Sequence, residues 1–328
     1  MDELSLVTGG AGFIGSHLVE ALTATGRRVR VLDDFSTGLR SNLAHHLRGT
    51  GRNTGVQVID GSLTDPAAVA HAVRGVGVVY HLGALASVAR SVENPAVTHA
   101  ACATGTLNLL DAARKAGVRR VVYAASSSAY GGSSGAGGQT EDQPVAARSP
   151  YAAAKLAGEL YMQAFAYTYG IETVRLRFFN IFGPRQRSDS PYSGVIALFT
   201  AAMRAGRAPA VHGDGSQSRD FTYVANAVQA LMKAADAPEV SGNVYNVGTG
   251  RSISVLELVA ALNRVLGTHL DPVFGPTRAG DVKFSRADIT RTRADLGYDP
   301  AVSFEDGLKR TVEWHLRTEG RKVVAVAG

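Results

Sequence analysis

Short apolar runs alternate with helically spaced segments through the first half of the chain. Residues 4–8, 28–32, 56–60, 76–81, 120–125 and 172–177 read as strands, and valine recurs in them. Residues 13–25, 65–74, 96–116 and 150–169 carry helical patterns between them. Such a strand–helix repeat predicts an α/β fold, a doubly wound parallel sheet with helices on both faces, because parallel strands need a crossover between them. After Asn180 the rhythm breaks. Pro184, Pro191, Pro209, Pro238, Pro272, Pro276 and Pro300 cut the chain into shorter pieces, with helices near 195–205, 224–236, 254–266 and 304–317. The pattern therefore predicts a sheet domain over 1–180 and a smaller C-terminal lobe over 181–317. Segments near 212–250 are expected to interleave with the sheet. The tail, 318–328, lacks helical periodicity and is expected to fray.

One stretch between the first strand and the first helix carries specific chemistry: Thr8-Gly9-Gly10-Ala11-Gly12-Phe13-Ile14-Gly15. Gly9 permits a tight turn off the strand. Gly12, without a Cβ, lets backbone approach a pyrophosphate, and Gly15 lets helix pack close to sheet. The helix N-terminus then offers unpaired N–H groups and the positive end of its dipole to the anion. Asp33-Asp34 follow about 20 residues on, at the end of the second strand, where a carboxylate can hold ribose hydroxyls. The sheet is thus expected to be of the Rossmann type and to bind a dinucleotide.

Composition narrows the class. The chain has 328 residues, 45% hydrophobic and 19% charged, the balance of a soluble globular protein. The single cysteine, Cys102, excludes an internal disulfide, fits a reducing compartment and reads as a packed small side chain. No apolar run reaches 18 residues and a strand starts almost at once, so neither a membrane span nor a signal peptide is supported and a cytoplasmic protein is expected. The net charge of +6 suits an anionic small ligand, and no basic run suggests nucleic acid. No metal site is expected.

Two further stretches can do chemistry. Ser149-Pro150-Tyr151-Ala152-Ala153-Ala154-Lys155 places a phenol and an ammonium one helical turn apart on one face. The ammonium stabilises phenolate and would draw the tyrosine toward neutrality as a base. Ser126, Ser127 and Ser128 follow the fifth strand directly, at the carboxyl edge where open α/β sheets bind ligands. Ser126 could bond a reacting oxygen and pass on its proton, while at least one of the three serines merely caps the turn. The glycine- and serine-rich run 131–138 reads as a linker or as a mobile flap beside these stretches.

Jointly, these motifs resemble the extended short-chain dehydrogenase/reductase family, in its nucleotide-sugar branch and most of all its UDP-sugar 4-epimerases. The resemblance extends through His81-Leu82-Gly83-Ala84, Gly105-Thr106-Leu107-Asn108, Arg177-Phe178-Phe179-Asn180-Ile181-Phe182-Gly183-Pro184-Arg185-Gln186, Gly213-Asp214-Gly215, Arg219-Asp220-Phe221 and Tyr245-Asn246-Val247-Gly248. It implies Ser126, Tyr151 and Lys155 as the catalytic trio. It implies NAD contacts from Gly9, Gly12, Phe13, Ile14, Gly15, Asp33, Ser62, Leu63, Leu82, Ala84 and Phe178, besides Tyr151 and Lys155. Ser62-Leu63 departs from the family, which often has a carboxylate in place of Ser62. Ser87, Asn180, Arg187, Arg219, Arg278, Asp281 and Ser285 are implied to hold the sugar and UDP. Asp33 would repel a 2′-phosphate and so favours NAD over NADP, with Arg28 and Arg40 weighing slightly the other way. A helix-paired homodimer is also implied.

The expected reaction is inversion at sugar C4 through a 4-keto sugar. Dehydratases of the branch need an Asp-Glu pair after the active-site hydroxyl, and here Ser127 and Ser128 occupy those positions. Arg187, following Gln186, resembles uronate 4-epimerases, in which an arginine fork meets the C6 carboxylate. UDP-glucuronate is thus the lead substrate. UDP-glucose follows closely, as does UDP-N-acetylglucosamine, whose N-acetyl group the small Ser285 would admit. A decarboxylase of the family and a non-catalytic NAD(H) sensor on the same fold are the remaining alternatives.

Overall fold

The computed structural model describes residues 3–47, 56–133, 137–188, 194–277 and 282–326. The elements that place the site are β1 (Leu4–Thr8), α1 (Phe13–Ala24), β2 (Arg28–Asp33), β3 (Val56–Asp60), α2 (Pro66–Ala72), β4 (Val76–His81), α3 (Gly105–Lys115), β5 (Arg120–Ser126), α4 (Pro150–Tyr169) and β6 (Glu172–Phe178). They are followed by α5 (Val195–Arg204), α6 (Val224–Asp236), β7 (Asn243–Val247), α7 (Val255–Leu266) and α8 (Phe304–Val326). Seven parallel strands form one sheet in the order β7-β6-β5-β4-β1-β2-β3. The strand order reverses between β1 and β4. At such a switch point the loops diverge to opposite faces and leave a crevice for a ligand.

The central strands β1, β4, β5 and β6 are buried on both sides. Leu109, Leu110, Ala113, Val69 and Met162 from α2, α3 and α4 cover one face of the sheet. Leu18, Val19, Leu22, Ala227 and Leu231 from α1 and α6 cover the other. At about 1.5–3 kcal/mol for each large apolar side chain buried, these layers dominate the stability of the sheet domain. The C-terminal lobe has its own core, in which Phe182, Phe221, Tyr223 and Phe304 cluster with Leu258, Leu262 and Leu308. The ring of Phe182 lies 5.7 Å from Tyr223 and 5.8 Å from Phe304.

Three elements differ from the sequence expectation. β7 escapes notice as a strand because it comes from the proline-cut half of the chain. It pairs along β6 from Asn243 opposite Val174 to Val247 opposite Phe178. The helix expected over 96–116 is broken by a wide π turn, Ala100–Thr104, ahead of α3. The tail expected to fray continues α8 to Val326, through the strong helix formers Glu319, Arg321 and Lys322.

The lobe meets the sheet through short, distant pieces. Ser218–Arg219 pairs antiparallel with Ile253–Ser254 and parallel with Phe284–Ser285. The buried Asp220 carboxylate ties them together. It accepts from Thr249 N (2.8 Å), Thr249 Oγ1 (2.7 Å), Gly250 N (2.9 Å) and Ala287 N (3.2 Å).

Candidate active site

A cavity of about 2060 Å³ opens along the carboxyl edge of the sheet and runs under the lobe. Its cofactor-side wall begins at the glycine turn. Gly9 has φ +69°, and a Cβ there would stand 2.8 Å from Gly83 N. At Gly15 a Cβ would stand 2.1 Å from Gly9 O, so no larger residue lets α1 start so close to β1. A Cβ on Gly12 would meet only Gly9 O, at 3.1 Å, and its absence keeps the turn open toward the cavity. Gly12 is also the N-cap of α1 and brings no side-chain cap, and the first turn holds no acidic residue. Its backbone donors and dipole are therefore available to an anion. Phe13 and Ile14 line the same wall.

Asp33 closes the cofactor end. One carboxylate oxygen accepts from Ala11 N at 2.8 Å and the other from Phe35 N at 2.9 Å. Burial raises its pKa, and these two bonds work against the rise. The bonds fix the carboxylate and leave each oxygen acceptor capacity for a ribose hydroxyl. Arg40 is engaged elsewhere: it pairs with Asp60 and lies over the Phe35 ring at 3.9 Å. Ser62, Leu63, Leu82 and Ala84 also line the cavity, and the Ser62 hydroxyl bonds Thr64 Oγ1 at 2.9 Å. These residues fit a dinucleotide.

The catalytic candidates converge at mid-cavity. β5 ends at Ser126, and Ser149 caps α4 so that Tyr151 and Lys155 face back toward it. Ser126 lies beside the Tyr151 phenol on the cavity wall. Lys155 is buried, its ammonium 4.1 Å from the centre of the Tyr123 ring. Burial lowers Lys155 to about 8, with Cys102 and Glu159 opposing. Burial raises the Tyr151 pKa, and the neighbouring Ser126 hydroxyl works against the rise. Phe178 at the end of β6 completes this part of the wall.

The sugar-side candidates are more scattered. Ser87 lines the cavity, although its hydroxyl already caps a short helix by accepting from Arg90 N at 3.2 Å. Asn180 sits at φ +30° and Arg185 at φ +67°, a strained turn. His17 Nε2 to Pro184 O, at 2.9 Å, and Arg185 to Glu20, at 2.6 Å, brace it against α1. That turn carries Asn180 and the exposed Arg187 to the cavity wall. Arg219 and the buried Ser285 line the lobe side, where Ser285 Oγ donates to Gln139 Oε1 at 3.3 Å. Arg278 and Asp281 lie outside the described residues, as does the middle of the suggested flap, 134–136. The flanks of that flap are pinned to the Ser285 segment. Ser133 N donates to Phe284 O at 3.2 Å and Gln139 N to Arg286 O at 2.7 Å.

Some contributors are not apparent from the motifs. Asp220 acts mainly through donors distant in sequence, at Thr249, Gly250 and Ala287, which no local motif reveals. Ser128 sits in the serine run, but its bond to Ser126 needs the turn that folds it back. His81 links the glycine turn to the α3 region, through Thr8 Oγ1 at 2.8 Å and Thr106 Oγ1 at 2.9 Å.

This fold and site define an extended short-chain dehydrogenase/reductase. A model of the NAD dependent epimerase/dehydratase family matches residues 5–248, and the chain belongs to that family. The chain is 40% identical over 312 residues to a UDP-glucose 4-epimerase of Mycolicibacterium smegmatis, covering 94% of this chain and 97% of that one. It is 33% identical over 330 residues to UDP-glucuronate 4-epimerase 5 of Arabidopsis thaliana, covering 95% of this chain and 75% of the relative. The solved UDP-glucose 4-epimerase of Thermotoga maritima, with UDP-glucose, superposes with a TM-score of 0.89 at 36% identity, covering 96% of this chain and 99% of that one. The protein is accordingly an NAD-dependent isomerase of the UDP-sugar 4-epimerase type. Among the described residues no helix is long and apolar enough to cross a membrane.

Proposed function

We propose that the protein interconverts a neutral UDP-hexose with its C4 epimer, and that UDP-glucose is the preferred substrate. The observation carrying this reading is the convergence of Ser126, Tyr151 and Lys155 on the cavity wall shared by the glycine turn and the lobe. The glycine turn and Asp33 would hold NAD, which would supply a hydride acceptor and donor for C4. Tyr151 takes the O4 proton as the 4-keto sugar forms, and Ser126 donates a hydrogen bond to the same oxygen. Lys155 places positive charge near the phenolate that accepts this proton, a form that burial otherwise opposes. The cavity leaves room for the keto sugar to turn over while the lobe keeps its UDP, and the proton then goes back from Tyr151.

Ser127 and Ser128 line the cavity where a dehydratase would need two carboxyl groups, so elimination of water is not supported. The sequence favours UDP-glucuronate through Arg187, but that side chain is exposed. An exposed side chain gives a carboxylate only a screened and weak partner. The named relative of Mycolicibacterium smegmatis agrees with the neutral sugar. UDP-glucuronate remains the second reading because Arg187 does reach the cavity wall. Exposed Val92, Val97 and Leu160, on neighbouring helices, support the helix-paired homodimer.

The test is incubation of the NAD-loaded protein with UDP-glucose, UDP-glucuronate or UDP-N-acetylglucosamine, followed by chromatography of the products. UDP-galactose should form fastest. Faster turnover of UDP-glucuronate would replace the neutral-sugar reading, and three unchanged sugars would reject epimerisation.

A further inference from the structure

The turn after β5 contains a second hydroxyl for which the reaction above has no use. Ser126 caps a short 3-10 turn, Ser127–Tyr130, and its Oγ accepts two hydrogen bonds from one neighbour. Ser128 N donates at 3.2 Å and Ser128 Oγ at 2.8 Å. A serine oxygen has two acceptor lone pairs and one hydrogen. With both lone pairs engaged, the Ser126 hydrogen is the only group left to point elsewhere, into the cavity that the Tyr151 phenol lines beside it.

We propose that Ser128 is a positioning residue: by filling the acceptor capacity of Ser126 it makes that hydroxyl a one-way donor toward the Tyr151 oxygen. This rests on the epimerase reading of the site and deepens it. A hydroxyl free to rotate could instead accept from the neutral phenol, which would favour the protonated, inactive form. One that can only donate favours phenolate and, during turnover, the O4 oxygen. Ser128 need not touch the sugar to have this effect.

The other groups around Tyr151 are independent of Ser128. They are Lys155 and Glu159 on its own helix, Cys102 from the π turn, Tyr123 on β5 and, behind Tyr123, His81 on β4. The His81 imidazole is held neutral by burial down to about 3, so it adds no titration near neutrality.

The experiment is a set of variants, Ser128→Ala, Ser128→Cys and Ser128→Thr, read in two ways. Phenol ionisation is followed by ultraviolet difference titration of the protein with NAD added, the Tyr151→Phe protein serving to isolate Tyr151. The pH profile of turnover is measured in parallel. Losing the donor in Ser128→Ala should move the Tyr151 titration and the rising limb of the profile upward by about 1 pH unit, the scale of one ordinary hydrogen bond. Ser128→Cys, a weaker donor of similar size, should shift both less, and Ser128→Thr should restore the wild-type values. An unchanged titration in the alanine or cysteine variant overturns the proposal, as does an equal shift in the threonine variant. The titration needs no turnover, so a wild-type protein that leaves every UDP-sugar unaltered would defeat the epimerase reading by a separate result.

Discussion

The two walls of the cavity are built in opposite ways. The cofactor wall is assembled from ends of consecutive parallel strands, and its chemistry lies within a few residues of β1, β2 and β5. The sugar wall is assembled from two-residue strands at 218–219, 253–254 and 284–285 and from a strained turn at 180–185. A site on the first wall is set by regular sheet geometry. On the second, each position depends on contacts with chain far away in sequence. Damage to the first wall should therefore appear in the chemical step or in cofactor affinity, and damage to the second in sugar affinity and stability.

Tyr151→Phe breaks the comparison most severely. It removes the phenol oxygen beside Ser126 and leaves the glycine turn, Asp33 and the lobe in place. Loss of a positioned general base should lower kcat by about 10²–10⁴-fold. NAD affinity, measured by calorimetry, should barely change. Turnover within tenfold of wild type would show that another group takes the proton.

The same contrast explains what could be read from the sequence. The six main strands were legible because each carries a short run rich in valine, isoleucine or leucine and is bounded by turns. The glycine turn was legible because each missing Cβ answers to a nearby backbone atom, most sharply at Gly15 against Gly9 O. Tyr151 and Lys155 were legible because helix periodicity fixes their common face. β7 was hidden: a five-residue strand pairs only because β6 presents an open edge, and nothing local specifies that. Asp220 was quoted within a motif without a role, since its partners, Thr249, Gly250 and Ala287, are known only from the fold.

Asp220→Ala tests the far-sequence wall. It would leave the Thr249, Gly250 and Ala287 backbone donors buried and unpaired, beside the segments that carry Arg219 and Ser285. One unpaired buried donor costs roughly 1–3 kcal/mol, and local relaxation recovers part of the sum, so a stability loss of about 3 kcal/mol is expected in denaturant unfolding. KM for the UDP-sugar should rise while NAD affinity holds. A variant as stable as wild type would mean that Asp220 does not staple the lobe.

Arg187→Ala makes the smallest change and the finest distinction. The side chain is exposed on the sugar wall, so a salt bridge to a substrate carboxylate would be screened and close to the surface-pair range of about 0–1 kcal/mol. Removal should therefore cost less than about threefold in kcat/KM for UDP-glucose, and no more for UDP-glucuronate. A carboxylate gripped by a desolvated arginine fork would behave differently, since charge-assisted bidentate bonds are roughly twice as strong as neutral ones. A selective loss of tenfold or more on UDP-glucuronate would show that the arm folds over the bound sugar. The sugar wall would then be completed by substrate binding, whereas the cofactor wall is already formed by the sheet.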